Sequence, residues 1–196
     1  MNWLEPVAVA TGIISVYLSV KQKIWSWPTA LVNVALYFVV FREQKLYADM
    51  GLQVIYFVLS LYGWYEWLYG GENRTELKVS RADPRMAISL AAIAVVGVAV
   101  LGTLFARFTD AALPYVDSAT ATTSLVAQWM MTRKVLENWA VWIAVDVVYI
   151  GMFIYKHLYL TSGLYAGFLV LAVMGHRQWR RSFKAHHASA GDIVPA

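Results

Sequence analysis

The sequence predicts an all-α membrane protein with seven transmembrane helices, arranged as two parallel three-helix repeats joined by a spacer helix. Three observations predict this. First, the 196 residues are 60% apolar and only 14% charged, whereas a soluble domain carries about 25% charged residues. Sixteen Lys and Arg and twelve Asp and Glu cannot coat a globule that must also hide nine Trp, twelve Tyr and eight Phe. Second, apolar runs close to the ~20 residues a bilayer-crossing helix needs account for nearly the whole chain. Third, the chain matches itself at a fixed shift. The absence of cysteine excludes disulfides, thiolate metal sites and cysteine nucleophiles. A net charge of +4 fits Lys and Arg retained on one side of a membrane better than a nucleic-acid partner.

The first span runs from Leu4 to Val20. It has no basic flank and no Ala-x-Ala cleavage site, so it reads as a retained helix rather than a removable signal peptide. Lys21-Gln22-Lys23 separates it from the second span, Trp25 to Phe41, and Arg42 to Lys45 leads into the third, Leu46 to Tyr69. The one longer break, Gly70 to Arg85, contains Gly-Gly, Asn, Asp and Pro. Met86 to Phe108 is the spacer helix. Pro114 to Thr132 and Leu136 to Tyr155 are separated by Arg133-Lys134, and Lys156-His157 precedes the last span, Tyr159 to Trp179. Ser182 to Ala196 is polar and rich in small residues and reads as a disordered tail. The resulting units are residues 1–69, a loop plus spacer at 70–112, a second repeat at 113–181, and the tail at 182–196. Breaks this short force neighbouring helices to run antiparallel. Twelve of the sixteen Lys and Arg fall on the side of the first, third and fifth breaks and the C-terminal tail. Positive charge stays inside, which places the N-terminus outside and the C-terminus in the cytoplasm.

The self-match has a shift of 112 residues and no gap. Trp27 falls on Trp139, Tyr37 on Tyr149, Phe41 on Phe153, Gly63 on Gly175 and Trp67 on Trp179, with Leu46-Tyr47, Gly51-Leu52 and Val58-Leu59 also repeated. Helices one to three therefore resemble helices five to seven. Three helices end on the side opposite their start, and one more crossing restores it, so the spacer gives both triplets the same orientation. A parallel repeat of this kind is the plan of SWEET-like transporters, with a route at the interface of the halves.

Polar residues fall on defined helix faces at 100° per residue. In the fifth span Asp117, Thr120, Ser124 and Gln128 form one stripe, and within lipid such a stripe faces protein or water. Ser and Thr also bond between helices, but Gln128 and Asp117 favour a lined cavity. In the sixth span Asn138, Trp142, Asp146 and Tyr149 share a stripe, with Trp139 at its edge. Asp146 lies near the midplane, where an ionisable group costs at least ~2.5 kcal/mol and marks function or a fixed partner. No basic residue lies at matching depth, so the acid is hydrated, protonated, hydrogen-bonded or waiting for a cation. Hydration in a cavity is the preferred reading and direct contact with a cationic substrate the second. In the third span Asp49, Gln53, Tyr56, Ser60, Trp64 and Trp67 share a face. Gln53 and Ser60 are deep enough to line a route, whereas Trp67 reads as part of the interfacial aromatic belt. Asn33 of the second span stands near the Asp146 level. Thr120, Ser124 and Gln128 correspond to Ala8, Gly12 and Val16, which predicts an asymmetric site supplied mainly by helices five and six. Glu5, Asp49 and Asp117 lie near the outer mouth, where they attract a cation or, for Glu5 and Asp117, equally well cap helices.

The run Gln128-x4-Arg133-Lys134-x2-Glu137-Asn138-Trp139-x2-Trp142, with Tyr62-Gly63-Trp64-Tyr65-x-Trp67, resembles the signatures of the PnuC family of vitamin transporters. The similarity extends from Glu5 to Trp179. The resemblance implies a SWEET-like three-plus-one-plus-three plan in a bacterial inner membrane, uptake of nicotinamide riboside, an NAD precursor, and a homo-oligomer, with a trimer the favoured size. Relatives carrying thiamine or another vitamin make those the alternative cargo, and a membrane enzyme or sensor is the least supported reading. For nicotinamide riboside, Trp139 and Trp142 would stack on the cationic pyridinium, a contact worth about 0.5–2 kcal/mol. Asn138, Gln128 and Gln53 would pair with amide or sugar groups, Thr120 and Ser124 would offer hydroxyls, and Asp146 would bond the ribose or balance charge. Arg133 and Lys134 read as topology signals. No phosphate-loop motif and no metal-ligand spacing is present in the sequence, so neither ATP hydrolysis nor a cofactor is expected. The implied mechanism is facilitated diffusion by alternating access, with a cytosolic kinase trapping the nucleoside as its phosphate.

Overall fold

The computed structural model describes residues 3–43, 47–109 and 113–191. These form seven α-helices: α1 (Leu4–Val20), α2 (Ser26–Glu43), α3 (Tyr47–Tyr69), α4 (Pro84–Phe108), α5 (Pro114–Thr132), α6 (Asn138–Tyr155) and α7 (Tyr159–Gly191), plus a short 3-10 turn at Glu72–Arg74. The bounds of α1 and α5 are those the hydrophobic pattern predicts. Lys45 and Leu46 lie outside the described residues. Helix α4 starts two residues before its apolar run because Asp83 caps it. The Asp83 carboxylate accepts from the Met86 amide at 2.7 Å, and Pro84 takes the first helical position, where a missing N–H costs nothing.

The last helix departs from expectation. The stretch from Ser182 onward, read as disordered, continues α7 as helix through Gly191, and residues 192–196 lie outside the described residues. Trp179 and Phe183, four residues apart, both pack on the core. That shared face carries the helix past the apolar span, through a stretch of helix-favouring Arg, Lys and Ala.

Among the described residues α4, α6 and α7 are each long and apolar enough to cross a bilayer, and α1 is a shorter apolar helix. α4 packs on α5 and exposes Ile88, Val95 and Phe108 at 70%, 69% and 78%. Large apolar side chains in that number suit contact with hydrocarbon rather than water.

The packing order is α1 on α2 on α3, and α4 on α5 on α6 on α7, with the two groups joined where α3 meets α5 and α1 meets α7. Contacts in the first group recur 112 residues later. α1 ends with Gln22 in the left-handed region (φ 54°), and α5 ends with Lys134 in the same conformation (φ 48°). Each end closes with the same pair of backbone bonds, Gln22 to Ser19 and Lys23 to Leu18 in one case, Lys134 to Met131 and Val135 to Met130 in the other. This is the Schellman arrangement, which satisfies carbonyls left over at a helix C-terminus.

Four tryptophans form the centre of the core. Trp27 meets Trp67 edge to face at 5.3 Å, Trp139 meets Trp179 the same way at 5.4 Å, and Trp67 and Trp179 touch across the seam at 5.9 Å. Trp67 donates to the Met131 carbonyl at 3.0 Å, and Trp179 to the Ser19 carbonyl at 3.0 Å. The glycines explain how the rings fit, because a Cβ at Gly63 would strike Trp27 and one at Gly175 would strike Trp139. Trp67, expected in the interfacial belt, is 1% exposed, since its indole N–H finds a carbonyl inside the protein rather than water.

The α3–α4 connection is ordered and lies over the α5–α6 turn. Ser80 pairs with the backbone of that turn, donating to Lys134 and accepting from Leu136. Val79 beside it is 6% exposed. Lys134 is 1% exposed. Its ammonium donates to the Leu77 carbonyl at 2.8 Å and to Glu76 at 3.2 Å, and lies 4.5 Å from the Trp67 ring centre. Burial lowers the Lys134 pKa from 10.5, with Glu76 opposing the shift. Beyond any role as a topology signal, Lys134 is a clamp between the α3–α4 connection and the core.

Candidate functional site

The polar residues singled out in the sequence occupy two separate levels. The first is the seam where α3, α5, α6 and α7 converge. On α5, Thr120 and Ser124 are buried at 4% and 3%, while Asp117 and Gln128 are half-buried. The hydroxyls of Tyr56 on α3 and Tyr149 on α6 face Ser124, and Tyr149 also faces Thr120. Thr120 spends its hydrogen on the carbonyls of Val116 and Asp117 one turn back, at 3.1 and 3.0 Å. Its oxygen is left as an acceptor toward the seam. Ser124 Oγ is enclosed and makes no hydrogen bond within the described residues. Gln53, three residues before Tyr56 on the same face of α3, is half-buried, and Ser60 one turn further on is 1% exposed.

Asp146, one turn before Tyr149, is 4% exposed and has no ion-pair partner among the described residues. Tyr165 on α7 packs on Tyr149 and lies within electrostatic range of Asp146, Tyr56 and Tyr37. Its ring sits 4.6 Å from that of Tyr149 and 5.2 Å from that of Phe153. Asp49 and Asp117 add negative potential near Tyr149. Lys156 reaches Asp117 at 3.8 Å with both groups about one-third exposed, a pairing worth under about 1 kcal/mol. The seam is therefore a group of hydroxyls, tyrosine rings and carboxylates, with Lys156 reaching its edge at Asp117 and no ion pair to Asp146 among the described residues.

The second level is the end of the bundle holding the tryptophans, and it claims two residues expected to touch a ligand. Trp139 is 1% exposed, seated on Gly175 and edge to face with Trp179. No face of the indole is free. Asn138 is fully buried, and its amide donates to the Val135 carbonyl at 2.6 Å, closing the turn into α6. Trp142 is half-buried against the same cluster. Asn33 is held elsewhere again. Its amide donates to the Ala8 carbonyl at 2.5 Å and lies against Gly12, joining α2 to α1. Trp139 is thus packed into the core, and Tyr56, Tyr149 and Tyr165 are the aromatic side chains of the seam. Tyr56 stands on the α3 face already recognised from its spacing, though it was not singled out there. Tyr165 was missed, yet it is the residue 112 positions after Gln53, so the internal repeat pointed to it.

Chemically, the seam offers neutral donors and acceptors, aromatic faces and an unpaired carboxylate. That combination can hold a flat, polar molecule that is cationic or uncharged. No three His, Asp or Glu side chains among the described residues come together as metal ligands.

A family model described as nicotinamide mononucleotide transporter matches residues 2–181. The nicotinamide riboside transporter PnuC of Escherichia coli (strain K12) is 29% identical over 215 residues, covering 97% of this chain and 90% of that protein. The riboflavin/roseoflavin transporter RibM of Streptomyces davaonensis is 26% identical over 180 residues, covering 90% of this chain and 84% of that protein. A solved structure described as the crystal structure of the vitamin B3 transporter PnuC superposes with a TM-score of 0.74 at 31% identity, covering 94% of this chain and 83% of that one.

Proposed function

From the premise that the chain belongs to the nicotinamide mononucleotide transporter family and is a multi-pass membrane transporter, we propose that its cargo is nicotinamide riboside. Charge carries the choice among the cargoes of its relatives. A mononucleotide would bring a phosphate dianion into a seam where Asp146 has no ion-pair partner among the described residues and Lys156, at the edge, is already paired with Asp117. Placing like charges together at low dielectric is strongly unfavourable. The riboside has no phosphate and carries a cationic pyridinium, which suits Asp146 and a tyrosine face. The ring would lie against Tyr149 and Tyr165. Thr120, Ser124, Gln128 and Gln53 would pair with the ribose and carboxamide, Ser60 would close the α3 side, and Trp142 would bound the site toward the tryptophan cluster.

The transport cycle follows from the repeat. The triplets α1–α3 and α5–α7 form parallel halves with α4 as the spacer, the SWEET-like three-plus-one-plus-three plan, and they rock about the seam between α3 and α5. The chain spans the bacterial inner membrane seven times, with its N-terminus outside and its C-terminus in the cytoplasm. Transport is facilitated diffusion, and a cytosolic kinase retains the nucleoside by adding charge. The protein works as a homo-oligomer.

The test is uptake of labelled nicotinamide riboside into proteoliposomes without ATP or an ion gradient. Saturable flux, competed by unlabelled riboside but not by the mononucleotide, is expected. Absence of saturable flux sinks the proposal, and better competition by the mononucleotide overturns the charge argument. Trp142→Ala and Gln128→Ala should each weaken binding in folded protein. The relative that carries riboflavin favours a second reading, another vitamin as cargo, and a titration with riboside, thiamine and riboflavin separates the two.

A further inference from the structure

The 112-residue correspondence exposes a difference at the Schellman ends of α1 and α5. After α5, Arg133 is neutralised within the chain. Its guanidinium bonds the Tyr62 hydroxyl at 2.9 Å and pairs with Glu66 at 3.1 Å, and Tyr65 and Tyr69 fill the same face of α3, with their rings 5.4 Å apart. The counterparts of Arg133, Tyr62, Tyr65, Glu66 and Tyr69 are Lys21, Met174, Arg177, Gln178 and Arg181. The acid has become an amide, and two tyrosines have become arginines. In place of an internal ion pair there is a groove of about 180 Å³ lined by Val20, Lys21, Met174, Arg177, Gln178 and Arg181. It adjoins a second groove of about 230 Å³ formed by Arg177, Arg180, Arg181 and Lys184.

We propose that the groove between the end of α1 and the extension of α7 binds the phosphate of an anionic membrane lipid. Lys21, Arg177, Arg180, Arg181 and Lys184 form no ion pair among the described residues. Arg177, Arg181 and Lys184 lie within about 60° of one another around α7, and Arg180 is about 60° to one side, at 100° per residue. Opposite them, Trp179 and Phe183 pack on the core, so the cations stand on a fixed helix rather than on a loose tail. The position selects a lipid over a free anion. Met174 on the groove floor is 41% exposed, and below it Ile14 and Tyr17 of α1 and Val170 of α7 are 48%, 45% and 60% exposed. These apolar side chains form a track along the α1–α7 seam that acyl chains would follow while the guanidinium groups hold the headgroup.

The test uses the full chain in detergent, reading thermal unfolding and lipid retention in native mass spectra with added phosphatidylglycerol, phosphatidylcholine or inorganic phosphate. Phosphatidylglycerol should be retained and raise the unfolding temperature, while phosphatidylcholine and inorganic phosphate should not. The triple substitution Lys21→Gln, Arg177→Gln, Arg181→Gln should reduce retention roughly tenfold or more. The triple Arg74→Gln, Lys78→Gln, Arg85→Gln removes equal charge from exposed positions and should leave retention unchanged. Copying the other half with Met174→Tyr and Gln178→Glu should fill the groove with an internal ion pair and displace the lipid. Equal losses from both triples, or no loss from either the first triple or the copied pair, overturn the proposal. Protection by inorganic phosphate as strong as that by the lipid also overturns it.

Discussion

The two halves agree at one end and differ in the middle. At the tryptophan level, Trp27 on Gly63 and Trp139 on Gly175 are equivalent arrangements, and Trp67 and Trp179 donate to corresponding carbonyls of the opposite half, Met131 and Ser19. Even the unpaired atoms correspond, because the indole N–H groups of Trp27 and Trp139 both lack partners among the described residues. Two turns into the bundle the agreement stops. In the first half Asn33 bonds back to α1 over Gly12, closing α1 against α2. In the second half Ser124 replaces that glycine and faces the tyrosines of α3 and α6, and Asp146 stands where the first half has Val34. Packing of large rings tolerates little change, and there the two halves match. The polar chemistry differs between them and gathers on one half.

The largest test of this comparison addresses the shared end. Trp67→Ala and Trp179→Ala should each cost about 3–5 kcal/mol, read as loss of thermal stability in detergent. A gap between them above about 1.5 kcal/mol, more than one aromatic pair or hydrogen bond accounts for, breaks the equivalence. Next comes the divergent middle. Tyr149→Phe should reduce riboside affinity about tenfold, the effect of one lost hydrogen bond of about 1.4 kcal/mol, whereas Tyr37→Phe should change it less than about twofold. Equal effects at both positions make the site symmetric and the present reading wrong.

A smaller effect separates the two left-handed turn residues. Gln22→Gly should stabilise by about 0.5–1 kcal/mol, because glycine adopts that conformation without strain. Lys134→Gly should destabilise, because it loses the contacts to Leu77, Glu76 and Trp67. Chemical unfolding that shifts both variants in the same direction refutes the assignment of Lys134 as a clamp. The smallest effect is a pH slope. Burial lowers the folded pKa of Lys134 below 10.5, so above that folded value and up to 10.5 the unfolded chain holds more protons. Wild-type stability relative to Lys134→Met should therefore rise with pH through that window. A falling difference would mean that Glu76, not burial, dominates the ammonium.

The helix ends were legible because polar breaks are abrupt in a chain this apolar; α1 and α5 begin and end where the pattern places them. Tyr165 was legible in principle as the counterpart of Gln53, but tyrosine at a span reads equally well as packing or interface. Trp139 was ambiguous for a related reason: an indole beside a polar stripe looks the same in sequence whether a ligand or another tryptophan covers it. The continuation of α7 past Ser182 was hidden because composition registers exposed polarity and not the packing of Phe183 on the core.

Hydrophobicity and self-similarity, both additive along a chain, were sufficient by themselves to indicate a helical membrane protein, a 112-residue internal correspondence and the asymmetry of its polar stripes. Only the tertiary structure decided which side chains meet. It consigned Trp139 and Asn138 to the scaffold, brought Tyr56, Tyr149 and Tyr165 to the seam, and laid the strap from 71 to 83 over the α5–α6 turn. The physical reason is that a helix face states what a residue can turn toward, while the burial of each ring and the partner of each hydroxyl depend on which distant helix occupies that side.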